Sequence, residues 1–333
     1  MLNKLTLAIK TVSPVKMATI ALATMMLVTG CDSDSLSEIA KEIEDEIKGN
    51  TPFTLNFAAK SAGDLVVCNS VYDNFGSADD GLNSISISDL RFYISNVKFY
   101  DADNKELTIE LDDNDFQRNS DQGFVGLVDL TSNTSGACAD EALGGTERTN
   151  ASISGTLIAA TLADGTAAKV SFDVGVPQAV MKDVIATNSQ EDAPTPLNEM
   201  YWSWASGYRH LVMNFTIENS AEEAGKGLVH IGSRNCGGDG LLALEEKDSC
   251  DEVNTPTVSF TNFDLANDTI VLDIDELLKN VQFSASGGDE VVPTVACHSS
   301  PMQADCAAIF ENIGLDITDG TADADTNSVF TKE

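Results

Sequence analysis

The chain has 333 residues, of which 19 are Lys or Arg and 53 are Asp or Glu, so its formal net charge is −34 at pH 7. An acidic surface of this kind repels phosphate groups, which argues against binding to nucleic acid or to an anionic membrane surface through charge. We interpret the scattered carboxylates as a solvated surface, and cation storage is the alternative.

The first thirty residues have the pattern of an export signal. Three lysines precede an apolar run over residues 17–28, which is too short to span a bilayer. The run ends in Leu-Val-Thr-Gly before Cys31, which resembles the lipobox of bacterial lipoproteins. We expect a signal peptide over residues 1–30 and a lipid on Cys31, which anchors the protein in the bacterial cell envelope, facing the periplasm or the outside. An ordinary signal peptide with a chance cysteine is the alternative.

Residues 31–51 are expected to form an acidic helical tether between the lipid and the folded body. Ser35 and Glu38 have the spacing of a capping box, which is typical of a helix N-terminus. Apolar residues then recur at helical spacing, namely Leu36, Ile39, Ile43 and Ile47.

From Phe53 onward the apolar residues recur with a period of two, which is typical of β-strands. The predicted strands cover residues 84–88, 91–100, 107–111, 152–157, 169–174, 210–217, 258–263 and 269–274. Two short helices are predicted over residues 275–280 and 306–313. Many short strands separated by turns rich in Gly, Asn and Asp predict an all-β sandwich with long loops and a short C-terminal helix, forming one domain over residues 52–333.

The cysteines are consistent with export. Apart from Cys31 there are six, namely Cys68, Cys138, Cys236, Cys250, Cys297 and Cys306. An even number in an oxidising compartment indicates disulfides. Proximity alone suggests that Cys236 pairs with Cys250 and Cys297 with Cys306, which leaves Cys68 with Cys138.

The motifs of common enzyme classes are absent. The chain has no GxSxG elbow, no HExxH, no P-loop and no GxGxxG. Its three histidines leave little room for catalysis based on imidazole. We therefore expect a protein that is not an enzyme. The alternatives are a carboxylate-based hydrolase and an enzyme of unknown type, for example one that acts on polysaccharide.

Both tryptophans, Trp202 and Trp204, lie in the segment MYWSWASGYRH (200–210). In an extended strand the two indoles point to the same face. They either fill the sandwich core together with Met200, or serve a functional site as readily oxidised side chains. The tyrosines of the segment either pack beside the indoles or relay electrons.

Five segments, in the same order, resemble the MbnP-like copper-binding proteins, which are periplasmic or lipoprotein partners of MauG-like dihaem cytochrome c peroxidases. They are DLRFYISNVKF (89–99), VSFDVGVP (170–177), PLNEMYWSWASGYRH (196–210), LVHIGSRNC (228–236) and ACHSSPMQADCAAIFENIGLD (296–316). In that family the dihaem partner oxidises a tryptophan to kynurenine, which binds copper together with histidine. An indole nitrogen only donates hydrogen bonds, whereas kynurenine offers an amine and a ketone.

The resemblance implies that Trp202 or Trp204 is oxidised and contributes to a copper site. His230 matches a histidine of the family and is the best candidate ligand, although a histidine that is simply satisfied within a strand is an equal alternative. His210 stands where the family commonly has an aromatic residue and is a possible substitute ligand.

One expected ligand is missing from the sequence. The family usually has Asn-His a few residues after Gly-Val-Pro, whereas this chain has Met181 and Lys182, of which Met181 offers a thioether to Cu(I). His298 lies between Cys297 and a Ser-Pro turn and is expected to be a residue of a surface loop. The sequence therefore leaves two functions open: a copper-binding lipoprotein, or a structural or interaction lipoprotein on the same scaffold without a working metal site.

Overall fold

The structure is a computed structural model. It describes residues 49–68, 70–76, 82–131, 149–160, 162, 165–180, 196–197, 199–202, 207–218, 224–236, 250–285 and 293–333. The predicted signal peptide, Cys31, most of the tether, and Cys138 lie outside the described residues.

Nineteen strands and two helices lie wholly within the described residues. The strands are β1 (Thr51–Ser61), β2 (Asp64–Leu65), β3 (Val71–Phe75), β4 (Asn83–Tyr100), β5 (Ile109–Leu111), β6 (Gln117–Ser120), β7 (Gly123–Asp129), β8 (Ser152–Leu157), β9 (Thr166–Val174), β10 (Tyr201–Trp202), β11 (Gly207–Glu218), β12 (Gly225–Gly232), β13 (Arg234–Cys236), β14 (Cys250–Glu252), β15 (Thr257–Asp264), β16 (Thr269–Asp273), β17 (Ser284–Ala285), β18 (Pro293–Cys297) and β19 (Phe330–Lys332). The helices are α1 (Ile274–Leu277) and α2 (Ala304–Asn312).

Two large sheets pack face to face, which confirms the predicted all-β sandwich. The smaller sheet has the strand order β19-β16-β1-β8-β5, with β2 paired to β1. The larger sheet has the order β15-β9-β4-β11-β12-β18-β17, with short strands added to β4, β7 and β11. Most neighbours are antiparallel, but β1 pairs with β16 and β12 pairs with β18 in parallel.

Alternate side chains of β1 fill the space between the sheets. Phe53 and Phe57 are buried, whereas the residues next to them face the solvent. The ring of Phe57 lies 5.7 Å from that of Phe92 and 5.9 Å from that of Phe172, in edge-to-face contacts with the larger sheet. Burial of each such ring stabilises the folded state by about 1.5–3 kcal/mol. The face of β1 that carries the rings therefore becomes the core face, and the period of two in the sequence identifies that face.

Both predicted helices are present, and the C-terminal one, α2, matches its predicted span closely. The carboxylate of Asp273 caps α1 by accepting hydrogen bonds from the backbone N–H groups of Asp275 and Glu276. α1 ends earlier than predicted, where Asn312 of α2 donates to the backbone carbonyls of Leu277 and Lys279. Within the described residues, no helix is long and apolar enough to cross a membrane.

Disulfides lie at the two places predicted from proximity. Cys236 bonds to Cys250 across the β13–β14 pair, and Cys297 at the end of β18 bonds to Cys306 in α2. Cys68 is also disulfide-bonded, and Cys138, its predicted partner, lies outside the described residues.

The middle of β4 is buried on both of its faces. Phe92 faces the sandwich core, whereas Asp89, Arg91 and Tyr93 alternate with it and point to the opposite side, which we call the outer face of the larger sheet. A second, smaller apolar cluster covers part of this outer face, with four members from the chain after β9: Val176, Val180, Leu197 and Met200. The outer face is thus a buried environment distinct from the core.

We expect Phe57→Ala to lower the free energy of unfolding by about 3–5 kcal/mol, because it removes a buried ring that contacts both sheets. Asn56→Ala, at the exposed neighbouring position of the same strand, should change it by less than about 0.5 kcal/mol. Urea unfolding followed by circular dichroism measures both values. Similar losses in the two variants would contradict the assignment of the core face.

Candidate metal site

Two histidines meet on the outer face of the larger sheet. Nδ1 of His230 lies 3.1 Å from Nδ1 of His298, and the two ring centroids are 4.9 Å apart. His230 is 7% exposed and His298 is partly buried. A metal–imidazole bond is about 2.0–2.1 Å long, so one ion can contact both nitrogens across this separation.

The register of the parallel pair β12–β18 brings the two rings together. Val229 is the partner of Cys297 in this pair, so the next residue of each chain falls on the same side of the sheet. These next residues are His230 and His298, which are 68 positions apart in the sequence. The site therefore depends on strand pairing and not on a local motif.

The loop after β18 holds His298 in place through several contacts. The hydroxyl of Ser299 accepts a hydrogen bond from the backbone N–H of Gly232 and donates one to the carbonyl of His230. Gln303 accepts from the backbone N–H of His298. The Cys297–Cys306 disulfide fixes the position directly before the histidine. The backbone of His298 is thus held by a disulfide on one side and by hydrogen bonds on the other.

Buried polar side chains continue from His230 across the sheet. Nε2 of His230 lies 2.7 Å from Oδ1 of Asn214, and the amide nitrogen of Asn214 lies 3.4 Å from Oδ2 of Asp89. Arg91 donates two hydrogen bonds to Asp89, each of 2.8 Å, and a third of 3.2 Å to Glu199. We call Asp89, Arg91, Asn214, His230 and His298 the polar row.

Burial keeps both imidazoles neutral at neutral pH. It lowers the pKa of His230 to about 3, and the nearby charge of Arg209 acts in the same direction. Burial also lowers the pKa of His298. A neutral imidazole retains a lone pair on one nitrogen, which is the form that binds a metal. Burial raises the pKa of Asp89 to about 6, which leaves its carboxylate ionised at pH 7 beside Arg91.

The chain that leads into the tryptophan segment is attached to the same outer face. Tyr93 donates a hydrogen bond to the carbonyl of Leu197, and Arg91 pairs with Glu199. Arg209 donates to the carbonyl of Met200 from both its backbone and its side chain. The backbone of Tyr201–Trp202 then pairs with the start of β11. The side chain of Trp202 and the whole of Trp204 lie outside the described residues.

His210 is not a member of the polar row, and the structure gives it a structural role. Its Nδ1 accepts a hydrogen bond of 3.1 Å from the backbone N–H of Val176, and its Nε2 donates one of 2.8 Å to the carbonyl of Val253. Both nitrogens are therefore in use, and the ligand role that the sequence suggested for His210 requires at least one of these hydrogen bonds to break. A Cβ at Gly175 would stand 2.9 Å from the ring, which explains the glycine of the Gly-Val-Pro segment.

His298 is the functional candidate that the sequence interpretation missed. It lies in the loop after β18, as expected, but it is partly buried there against His230. The only sequence signal was its position beside a disulfide cysteine, since the pairing of β12 with β18 leaves no local pattern.

Met181 and Lys182 lie outside the described residues. In the part of the chain that the structure describes, no group of three or more His, Cys, Asp or Glu side chains could hold a metal ion.

The comparisons with known proteins agree with this architecture. A family model described as MbnP matches residues 50–299, which include all three histidines and both tryptophans. The chain is a member of the MbnP family. The resemblance seen in five sequence segments is thereby confirmed.

A solved structure of the same name has the same fold. MbnP from Methylosinus trichosporium is similar with a TM-score of 0.61 and 23% sequence identity, over 85% of this chain and 98% of that chain. No curated protein matches the chain significantly in sequence. Family membership and the sandwich fold are thus established. The chemistry of the site in this chain depends on its own residues.

Burial lowers the pKa of His210 to about 4 from its ordinary value of 6.5, so the folded state favours the neutral ring. The contribution of His210 to the free energy of unfolding is complete above pH 6.5 and is lost as the pH falls toward 4. About 2 kcal/mol of it is lost at pH 5. His210→Asn removes this titration. We expect the difference in unfolding free energy between wild type and variant to shrink by that amount between pH 7.5 and pH 5, measured by urea unfolding. Parallel pH profiles would show that His210 is not held neutral.

Proposed function

We propose that the protein is a lipid-anchored protein of the cell envelope that binds copper and is not an enzyme. His230 and His298 supply two imidazole ligands, and the tryptophan segment supplies a further ligand after oxidation. The observation that carries this proposal is the approach of the two neutral imidazoles to 3.1 Å within a buried polar row.

The chemistry of the donor set favours monovalent copper. Imidazole is a good ligand for copper, and Cu(I) is stable with few nitrogen ligands. A structural zinc site needs four ligands, and the described residues bring together only these two histidines. The nearby cations Arg91 and Arg209, both of which depress the pKa of His230, also disfavour a divalent ion over a monovalent one.

The position of the tryptophan segment supports its part in the site. Glu199 bonds to Arg91 of the polar row, and Trp202 follows three residues later on β10, which pairs with the start of β11. Oxidation to kynurenine adds two oxygen atoms to the pyrrole ring, and hydrolysis then releases one ring carbon as formate. The product carries an aryl amine that can bind a metal, which indole cannot. We propose a MauG-like dihaem cytochrome c peroxidase as the source of the oxidising equivalents.

The leader sequence supports the proposed location. A lipid on Cys31 and the acidic tether would hold the sandwich at a membrane while leaving it in an oxidising compartment. The disulfides Cys236–Cys250 and Cys297–Cys306 are consistent with that compartment.

A structural or interaction lipoprotein without a working metal site is the second candidate. It is favoured by one observation, namely that the described residues provide two ligands and no third. In that case the polar row would serve only to attach the tryptophan segment to the sheet. The two candidates differ in whether copper stays with the protein.

We expect His230→Ala and His298→Ala each to weaken Cu(I) binding by more than about tenfold, because each removes one of the two imidazole ligands. His210→Asn is the matched control, since it removes a histidine that lies outside the polar row, and should bind copper like wild type. Competition with a chromophoric Cu(I) chelator gives the affinities, and unfolding curves show that each variant is folded. Equal binding by all four proteins would contradict the assigned ligands, and no copper binding by wild type would favour the second candidate.

The tryptic peptide that ends at Arg209 contains both tryptophans, because the preceding cleavage site is Lys182. In protein from the native host we expect this peptide to have lost one carbon and gained one oxygen, and fragmentation should assign the change to Trp202 or Trp204. Protein from a host without the dihaem partner should carry the unmodified peptide. Unmodified tryptophan in copper-loaded protein from the native host would contradict the oxidation.

A further inference from the structure

A hydrogen-bonded path leads through the polar row to the histidine pair. Asp89 on β4 is the register partner of Asn214 on β11, and their side chains are 3.4 Å apart on the outer face. Asn214 in turn lies 2.7 Å from His230 on β12. The path crosses three adjacent strands, so its geometry is set by the sheet and not by a loop.

Asp89 determines which way the amide of Asn214 points. Its carboxylate receives two hydrogen bonds from Arg91, and an ionised carboxylate can only accept. The group of Asn214 that faces Asp89 must therefore be its NH2. The amide oxygen consequently faces His230. Arg91 and Asp89 thus fix the orientation of the Asn214 amide, whose oxygen and nitrogen are otherwise hard to tell apart.

The orientation of the amide decides the tautomer of His230. An amide oxygen at 2.7 Å accepts a hydrogen, so Nε2 of His230 must carry it. A neutral imidazole has a single N–H, which leaves the lone pair on Nδ1. That nitrogen is the one that faces His298.

We propose that Asp89 and Asn214 are positioning residues that hold His230 as the Nε2–H tautomer and so make Nδ1 its ligand atom. This inference rests on the proposed copper function and names the atoms through which the site acts. Two lone pairs would repel each other across 3.1 Å, so in the metal-free protein His298 donates its Nδ1–H to His230. Nδ1 of both rings would hold a Cu(I) ion only after this hydrogen is released to solvent, and the neutral His298 ring would then carry its hydrogen on Nε2.

The number of histidines makes the tautomer directly measurable. The chain contains three, so a sample labelled with 15N-histidine and purified without a histidine tag gives three sets of side-chain signals. His230→Gln and His298→Gln assign them. For the metal-free full chain at pH 7.5, we expect long-range 15N–1H correlations to show His230 with its hydrogen on Nε2. A hydrogen on Nδ1 would overturn the inference, whatever the variants do.

Two variants separate positioning from mere packing. Asn214→Leu removes the acceptor, and we expect His230 to lose its preference for the Nε2–H tautomer and Cu(I) affinity to fall by about 10–100-fold. Asn214→Gln keeps an amide that can donate to Asp89 and accept from His230, and it should retain the tautomer and more of the affinity than Asn214→Leu. If Asn214→Leu does not fold, the wild-type spectrum and Asn214→Gln still decide. An unchanged tautomer in folded Asn214→Leu, or equal losses of Cu(I) affinity in the two folded variants, would overturn the role of Asn214.

The measurements also separate this inference from the proposed function. Cu(I) binding with a hydrogen on Nδ1 of His230 leaves the copper function standing and removes the positioning role. A hydrogen on Nε2 in a protein that does not bind Cu(I) confirms that Asn214 sets the tautomer and removes the copper function, and with it the ligand role of Nδ1.

Discussion

Val229 and Cys297 are register partners in the parallel pair β12–β18, and this pairing decides where the two imidazoles meet. Side chains that follow register partners fall on the same face, so His230 and His298 are neighbours on the outer face of the larger sheet. The disulfide beside His298 and the two hydrogen bonds of Ser299 prevent the loop from moving away from β12. The rest of the site is arranged around this fixed point.

Burial of the polar row has a cost and a consequence. Ions taken out of water are destabilising unless their hydrogen bonds are made, and Arg91 meets this requirement by donating to both Asp89 and Glu199. The same burial lowers the pKa of both imidazoles and favours their neutral form. Burial is thus also what gives the histidines the protonation state of a ligand.

For His210 and His298, the position in the sequence does not predict the position in the fold. In the sequence, His210 stands beside the tryptophans and His298 stands in a polar loop. In the fold, His210 is enclosed by the backbone of Val176 and Val253, and His298 approaches the best candidate ligand. The sequence groups His210 with the tryptophans, whereas the fold places His298 beside His230, because a β-sheet brings together residues that are distant in sequence and separates neighbours onto opposite faces.

The sequence by itself determined the all-β class, the family, most strand positions and the two close disulfides, because alternation of apolar residues and short cysteine spacings are local properties. It also pointed to His230 through a motif. Only the tertiary structure decided that His298 joins His230, that His210 does not, and that Asn214 and Asp89 lie behind the pair. These decisions depend on the register between strands far apart in the chain, and register is fixed by the packing of whole sheets, which no local pattern records.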